Sequence, residues 1–280
     1  MKLTIVTINR NNLAGLQRTL QSVQAQTCTD FEHVVIDGAS TDGSAQLVAD
    51  YAAHAPYAVR WLSEPDSGIY NAMNKGIGMA TGDYIEILNS GDALASADVV
   101  ERMFAALDAR NYPEIMYGNM LKTSDWQHFR RDHCGDSSLY TPQSFLYFYC
   151  GTLNHDCAYI RRSLFERFGL YNEQMRICSD WEWYIRAIVL GGVQPVYVNI
   201  DVTHFDMNGI SESGRKNADI IARERREYLE KIVPASVLWD YDHYAFPMDQ
   251  YRRLRRHHLW GVVWFVERVL FKLEKWGILR

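Results

Sequence analysis

Several features that define large protein classes are missing from this 280-residue chain. The five cysteines, Cys28, Cys134, Cys150, Cys157 and Cys178, are odd in number and form no C-x-x-C pair, so neither a disulfide framework nor a thiolate zinc site is indicated. Scattered free thiols fit a reducing, cytoplasmic compartment. No apolar run reaches the roughly 18 residues of a membrane span. Leu3 to Ile8, near the amino terminus, is too short for a signal-peptide core, and no cleavage pattern follows it. Internal repeats, low-complexity tracts and an obvious linker are absent too. So is the phosphate-loop pattern G-x-x-x-x-G-K-[ST]. Gly76-Ile77-Gly78-Met79-Ala80-Thr81-Gly82 approaches a dinucleotide fingerprint. Its third glycine falls one residue late, however, and it follows a helical pattern rather than a strand.

Positive charge is scarce over most of the chain. The net charge is -5, but residues 251–280 carry eight Lys/Arg against two Glu, a local +6 that leaves -11 on the remainder. An acidic body argues against nucleic-acid binding, which needs a basic surface to neutralise phosphates.

The first half alternates strand and helix signals: Leu3 to Ile8, His33 to Ile36, Val59 to Leu62 and Tyr84 to Leu88 read as strands. Helices are expected between them, one capped by Asn11 or Asn12, one by Ser40 or Thr41, and one from Ile69 to Met79 ended by Gly82. This βαβ rhythm predicts an α/β fold with a mostly parallel, doubly wound sheet, in which ligands bind at the carboxyl ends of the strands. Three of the four strand ends carry acids, at Asp37, Glu64-Pro65-Asp66 and Asn89-Ser90-Gly91-Asp92. Acids gathered at one crevice need cations or hydrogen-bond donors to balance them. In the second half, Arg162 to Phe168, Ser179 to Leu190 and Asn217 to Ile232 read as helices, Pro195 to Asn199 as a strand, and Thr203 to Lys216 as a mobile loop.

In order and spacing, Thr7-Ile8-Asn9-Arg10, Val35-Ile36-Asp37-Gly38-Ala39-Ser40-Thr41-Asp42-Gly43, Glu64-Pro65-Asp66-Ser67-Gly68-Ile69-Tyr70-Asn71-Ala72-Met73-Asn74-Lys75-Gly76, Ala80-Thr81-Gly82-Asp83-Tyr84 and Leu88-Asn89-Ser90-Gly91-Asp92 resemble the inverting family 2 glycosyltransferases of GT-A fold. The similarity runs over roughly residues 1 to 215, and is closest to enzymes that build bacterial colanic-acid, capsule or O-antigen repeats. It implies a nucleotide-sugar donor, with UDP favoured, a glycan or lipid-linked acceptor, and Mg²⁺ or Mn²⁺ as cofactor. The nucleotide-sugar half is expected at 1–110, the acceptor half and lid at 111–232, and an amphipathic helical extension at 233–280.

By this resemblance Thr7, Asn9, Arg10, Asp37, Asp66, Lys75, Asn89, Ser90, Gly91 and Asp92 face the nucleotide sugar. Asp37 suits a hydrogen bond from a uracil N3–H, although an acid before Gly-Ala-Ser also caps a turn. Asp66 would equally serve as a helix N-cap. The family's D-x-D-type metal motif falls on Asn89-Ser90-Gly91-Asp92, where only Asp92 keeps an acid; capping the next helix is its alternative role. Lys75 is either a phosphate contact or a solvated lysine.

Asp180, opening a helix in Cys178-Ser179-Asp180-Trp181-Glu182-Trp183, is the candidate catalytic base, with Glu182 as the fallback. Burial beside Trp181 is expected to raise the Asp180 pKa. His155, in Asn154-His155-Asp156, and Trp181 are candidates for the acceptor, against structural or core roles. His204, Arg215 and Lys216 are candidates in a lid over the diphosphate.

The Gln-x-x-Arg-Trp motif and spans of processive relatives are absent, so addition of a single sugar is expected. A sugar-nucleotide nucleotidyltransferase is the alternative enzyme, but Asn9-Arg10-Asn11-Asn12 stands where its glycine-rich basic loop belongs. A non-catalytic binding module is a further alternative, disfavoured by the joint presence of Asp37, Asp92 and Asp180. The basic run Arg252-Arg253-Leu254-Arg255-Arg256 and the apolar stretch after it fit either a helix on an anionic membrane, on the inner face of the cytoplasmic membrane, or packing on protein.

Overall fold

A computed structural model describes residues 2–132, 144–208, 215–256 and 260–276, leaving aside the side chains of 132, 215–216, 246–256 and 260. Cys134 lies outside them; among the described residues Cys28, Cys150, Cys157 and Cys178 form no disulfide with one another.

The amino-terminal half has four strands, β1 (Leu3–Asn9), β2 (Phe31–Asp37), β3 (Ala58–Ser63) and β4 (Tyr84–Ile87), and three helices, α1 (Leu13–Gln24), α2 (Ser44–His54) and α3 (Ile69–Met79). Every residue of β1 and β2 is buried, as expected of strands covered on both faces. Successive side chains point to opposite faces. Val35 packs with Leu16 and Leu20 of α1 and Val48 and Tyr51 of α2, while Val34 and Ile36 join the core with Met73 and Ile77 of α3. Asn12 caps α1 by accepting from Gly15 N. Neither Ser40 nor Thr41 caps α2, whose N-cap is Gly43; Asp42 instead accepts the Ser44 amide.

Strands β3, β2, β1 and β4 run parallel in that order. The rest of the sheet comes from β5 (Ala93–Leu94), β6 (Ile115–Thr123), β7 (Arg130–Asp132), β8 (Ala158–Arg161) and β9 (Pro195–Asp206). Here the sheet departs from the parallel expectation. β8 pairs antiparallel with both β4 and β6, β9 runs parallel to β6, and β5 and β7 pair antiparallel at the margin. The sheet is mixed: the first half is parallel throughout, and the second combines one parallel pair, β6 with β9, with antiparallel ones. The remaining helices are α4 (Val99–Ala109), α5 (Phe145–Cys150), α6 (Ser163–Phe168), α7 (Ser179–Tyr184), α8 (Arg215–Ile232), α9 (Ala235–Arg256) and α10 (Trp260–Lys275). α7 continues into a π-helical stretch, Ile185–Leu190.

Two expectations for the second half need correcting. The strand read as Pro195 to Asn199 extends to Asp206, so 203–206 belong to β9 and not to a loop. Of the expected lid, 209–214 lie outside the described residues. α9 is also joined to the body: Leu238 is buried, Asp242 takes Tyr149 Oη at 2.6 Å, and Tyr241 stacks edge-on to Phe145.

Gly82 does not end α3, which stops at Met79 with Ala80 as C-cap. Its missing side chain serves a close backbone approach. A Cβ there would lie 2.7 Å from Thr4 N and 2.8 Å from Lys2 O, where Gly82 N donates to Thr4 Oγ1 at 2.9 Å. These neighbours are backbone and cannot swing aside. Gly82→Ala is therefore expected to destabilise the protein by about 1–3 kcal/mol, read as a lower denaturant midpoint at unchanged slope.

Candidate active site

The carboxyl ends of β1, β2 and β3 lie in one row, with Asn9 opposite Asp37 and Asp37 opposite Ser63. Asp37, fully buried, gathers its neighbours. Oδ1 accepts from Asn9 Nδ2 (2.9 Å) and Ser40 Oγ (2.5 Å), and Oδ2 from Ser40 N (2.9 Å) and Ser63 Oγ (2.7 Å). Burial pushes its pKa up, but these bonds prevail and hold it below the usual carboxylate range. With four donors, the acceptor capacity of Asp37 is used within the chain.

Asp66 approaches the same row because residue 38 is glycine: a Cβ there would fall 2.2 Å from Asp66 Oδ2. Asp66 takes the Gly68 amide at 3.2 Å and faces Arg10 at 3.8 Å. It does not cap α3, whose N-cap is Gly68.

The next link is made by the turn after β4. Ser90 N donates to Ile8 O, and Ser90 Oγ to Asn9 Oδ1 at 2.8 Å. Gly91 adopts φ 115°, a left-handed conformation suited to glycine, and its carbonyl accepts from Arg18 Nη1 at 3.1 Å. Asp92, 5% exposed, accepts the Asp206 amide at 2.8 Å. It does not cap α4, where Asp98 is the N-cap residue. Burial first, then the charge of Asp156, push the Asp92 carboxyl well above its ordinary value.

Asn89, the other side of that turn, reaches the second half. Its Nδ2 lies 3.1 Å from His155 Nε2 and 3.1 Å from Asp156 Oδ1. His155 opens a 3₁₀ turn, His155–Cys157, immediately before β8. Because β8 runs antiparallel to β4, the start of β8 sits beside the end of β4. His155 Nδ1 lies 3.1 Å from Asp180 Oδ2, and its Nε2 lies 3.3 Å from Asp156 Oδ1. Tyr70 Oη, from α3, is 3.1 Å from Asp180 Oδ1 and 2.5 Å from Ile177 O.

The electrostatics follow from this geometry. Burial works against a charged His155, but Asp156 and Asp180 outweigh it and hold its pKa well above the ordinary 6.5. Burial raises Asp180, but the His155 hydrogen bond and charge, with the Trp181 amide and the Tyr70 hydroxyl, bring it below the ordinary 3.8. The rise expected from burial alone is thus reversed by the histidine. At neutral pH the pair is an imidazolium and a carboxylate. A doubly protonated His155 donates through both nitrogens; turning over the Asn89 amide would let its buried, unpartnered Oδ1 face Nε2–H.

Asn9, Asp37, Asn89, Ser90, His155 and Asp180 therefore belong to one chain of contacts, with Arg10, Asp66, Gly91 and Asp92 adjoining it. Other candidates point elsewhere. Thr7 is fully buried and its Oγ1 bonds His33 Nε2 at 2.9 Å. Lys75 holds Glu64 Oε1 at 2.7 Å and Pro65 O at 2.9 Å, bracing the turn before Asp66. Trp181 is 1% exposed, with its indole N–H on Phe148 O at 2.7 Å, so it is a core residue and not a sugar platform. Glu182 is buried and paired with Arg186 at 2.7 Å, which leaves it no opening to an acceptor. His204 lies on β9 and stacks on Phe129 at 4.3 Å, not in a lid. Arg215 is the first residue of α8; its side chain, and that of Lys216, lie outside the described residues. Sequence reasoning missed Asp156 and Tyr70. Asp156 adjoins the quoted His155, and Tyr70 is marked by no local signal, since its partner Asp180 lies 110 residues away.

For a metal, the chain offers Asp92 as a carboxylate; among the described residues no group of three or more His, Cys, Asp or Glu is arranged to hold an ion. A buried acid repelled by another acid fits a site completed by a cation. Mg²⁺ and Mn²⁺ are commonly held by one or two carboxylates with phosphate and water oxygens. The arrangement suits an ion carried on a donor diphosphate and does not form a protein cage. A separate depression, lined by Lys2, Asp30 and Tyr57, opens at the amino-terminal ends of the strands and carries none of the site residues.

The family model "Glycosyl transferase family 2" matches residues 4–169. An uncharacterized glycosyltransferase of Mycobacterium tuberculosis (strain CDC 1551 / Oshkosh) is 32% identical over 219 residues, 77% of this chain and 79% of its own. A PGL/p-HBAD biosynthesis glycosyltransferase of M. tuberculosis (strain ATCC 25177 / H37Ra) is 28% identical over 211 residues, 75% of this chain and 79% of its own. Among solved structures, S. aureus TarS 1-349 in complex with UDP-GlcNAc superposes with TM-score 0.64 at 17% identity, covering 91% of this chain and 73% of that one. Against the longer TarS structure this chain spans 54% of the length. The mannosyltransferase PcManGT of Pyrobaculum calidifontis, in complex with GDP-Man and Mn²⁺, gives TM-score 0.60 at 17% identity, covering 96% and 79%. These structural likenesses establish a shared GT-A fold. With its family match over the strands and turns that build the site, the chain belongs to glycosyl transferase family 2.

Proposed function

We propose that the chain is an inverting, non-processive glycosyltransferase that moves one sugar from a nucleoside-diphosphate sugar to a glycan or lipid-linked acceptor. One observation carries this reading. Asp180, held by His155 and Tyr70, shares a contact chain with the strand-end residues where a nucleotide is expected.

Asp180 accepts the proton of the acceptor hydroxyl. The freed oxygen attacks the anomeric carbon from the face opposite the nucleotide, and the bond from that carbon to the phosphate oxygen breaks. The nucleoside diphosphate leaves with the electron pair, and the anomeric configuration inverts. Tyr70, whose hydroxyl is kept protonated chiefly by burial, and His155 fix the base's direction. Because Asp37 spends its acceptors within the chain, Asp66, beside Arg10, is the better partner for a uracil N3–H. UDP is favoured by the family resemblance and by the UDP-GlcNAc bound to TarS; GDP-Man on PcManGT shows that this fold also takes guanosine donors. A divalent ion at Asp92 would neutralise charge developing on the departing diphosphate.

The acceptor reading extends to a membrane surface. α10 exposes apolar side chains round much of its surface, Val262, Trp264, Phe265, Val266 and Phe271 among them, with Arg268, Lys272 and Lys275 interspersed. Basic residues near an anionic leaflet are worth about 1 kcal/mol each. No described helix is long and apolar enough to cross a membrane. The fitting role is peripheral contact through 251–280, on the cytoplasmic face.

Outcomes of three kinds are expected, in turnover, in pH dependence and in membrane binding. In a panel of nucleotide sugars, the matching donor releases nucleoside diphosphate; release of pyrophosphate, or no turnover, would reject the transferase. Asp180→Asn should keep donor affinity while transfer falls about 10²–10⁴-fold, and near-normal transfer removes Asp180 as the base.

The second outcome concerns pH. Transfer needs ionised Asp180, so the wild-type acid limb lies below the ordinary carboxylate value of 3.8. His155→Gln removes the cation that lowers it, and the limb should move up. For folding the signs are opposite. The His155 contribution is complete below 6.5 and is lost as pH rises through its elevated value. The Asp180 contribution is present above 3.8 and lost as pH falls through its depressed value. An acid limb unmoved by His155→Gln counts against the pair.

Third, deletion of 251–280 should abolish flotation with phosphatidylglycerol vesicles while phosphatidylcholine vesicles bind neither form. Equal flotation of both forms would discard the membrane contact.

A further inference from the structure

The segment that delivers Asp180 is held by a side chain from a different helix. Glu224, on α8 and 8% exposed, accepts three consecutive backbone N–H groups. Arg176 N donates to Oε1 at 2.6 Å, and Ile177 N and Cys178 N donate to Oε2 at 3.1 and 3.0 Å. From the opposite side, Tyr70 Oη donates to Ile177 O. The peptide units just before α7 are thus gripped through both their N–H and C=O groups.

The same face of α8 makes the neighbouring contacts. Cys178 Sγ lies 3.9 Å from Ile221 O, the Arg225 guanidinium sits 4.9 Å above the Trp181 ring, and Tyr228 meets Trp181 edge-on at 5.9 Å. Positions 221, 224, 225 and 228 form one helical stripe. Charge-assisted bonds of this kind are about twice as strong as neutral ones. Removing the carboxylate would strip all three N–H groups of this acceptor, the buried Cys178 amide among them.

We propose that Glu224 is a positioning residue for transfer: it fixes residues 176–178 so that Asp180 faces the acceptor hydroxyl. The inference rests on the reading of Asp180 as base. Asp180 meets His155 and Tyr70 at 3.1 Å each, so a small displacement of its backbone would break both contacts. Misplacement of a catalytic group by about 1 Å can cost about 10²-fold.

Glu224→Gln keeps the size of the side chain but turns one acceptor into an NH₂ group facing N–H donors. Four quantities test the proposal: kcat and KM for transfer, donor affinity by calorimetry, and amide exchange at 176–178. Glu224→Gln should lower kcat about 10- to 100-fold, leave donor affinity unchanged and accelerate exchange at those three amides. Glu224→Asp, a shorter carboxylate, should recover part of the lost kcat, and carries the test alone if Glu224→Gln does not fold. Accelerated exchange with kcat within about twofold of wild type would overturn the proposal. So would a kcat loss matched by an equal loss of donor affinity. Wild-type protein that protects these amides yet turns over no donor would remove the transferase reading and the positioning role with it, leaving a purely structural clamp.

Discussion

The ion pair between His155 and Asp180 is the contact on which the rest of the site depends. Each member is largely enclosed, with 13% and 15% of its side chain exposed, and each would be driven neutral by desolvation if it stood alone. Together they stay charged, because the imidazolium meets carboxylates on both sides, at Asp180 and Asp156. The pair also spans the two halves of the fold. His155 comes from the turn before β8 and touches Asn89 after β4, and Asp180 comes from α7 and touches Tyr70 of α3. Replacing either partner by an apolar side chain would leave an uncompensated buried charge and open the seam between the halves.

The strand-end weld of Asp37, Asn9 and Ser90 works differently. It uses one carboxylate and four donors to align three successive strand ends, and so fixes the floor of the crevice. A residue so fully occupied is rigid, and its neighbours are left to meet a ligand. Asp66 adjoins the same row and faces the exposed Arg10 at 3.8 Å.

Much of this arrangement was legible in the sequence. The parallel half was readable because β1 and β2 are short, β-branched-rich segments that alternate with helices of clear periodicity. The acids at the strand ends then had only one place to go. Asn89, His155 and Asp180, singled out in the sequence by resemblance to family segments, lie together here. The antiparallel half was less legible: β8 is four residues long, and β6 carries Asn119 and Lys122 within an otherwise apolar strand. Trp181 and Glu182 were misread because an aromatic and an acid beside a base look the same in sequence whether they face a crevice or the core. Tyr70 and Glu224 lay beyond sequence reasoning for another reason. Their partners are 110 and about 46 residues away, and nothing local marks either side chain.

The register of β8 against β4 has a consequence for how such a site can change over time. Tyr84 faces Arg161 and Ile85 faces Ile160, and continuing that count brings the turn at His155 and Asp156 alongside Asn89. Strand side chains alternate faces with a period of two residues, so a single inserted or deleted residue between 156 and 160 would turn the following side chains toward the wrong layer. A point replacement keeps that alternation, whereas a gap does not. The number of residues between the turn and the strand is therefore a constraint separate from their identity.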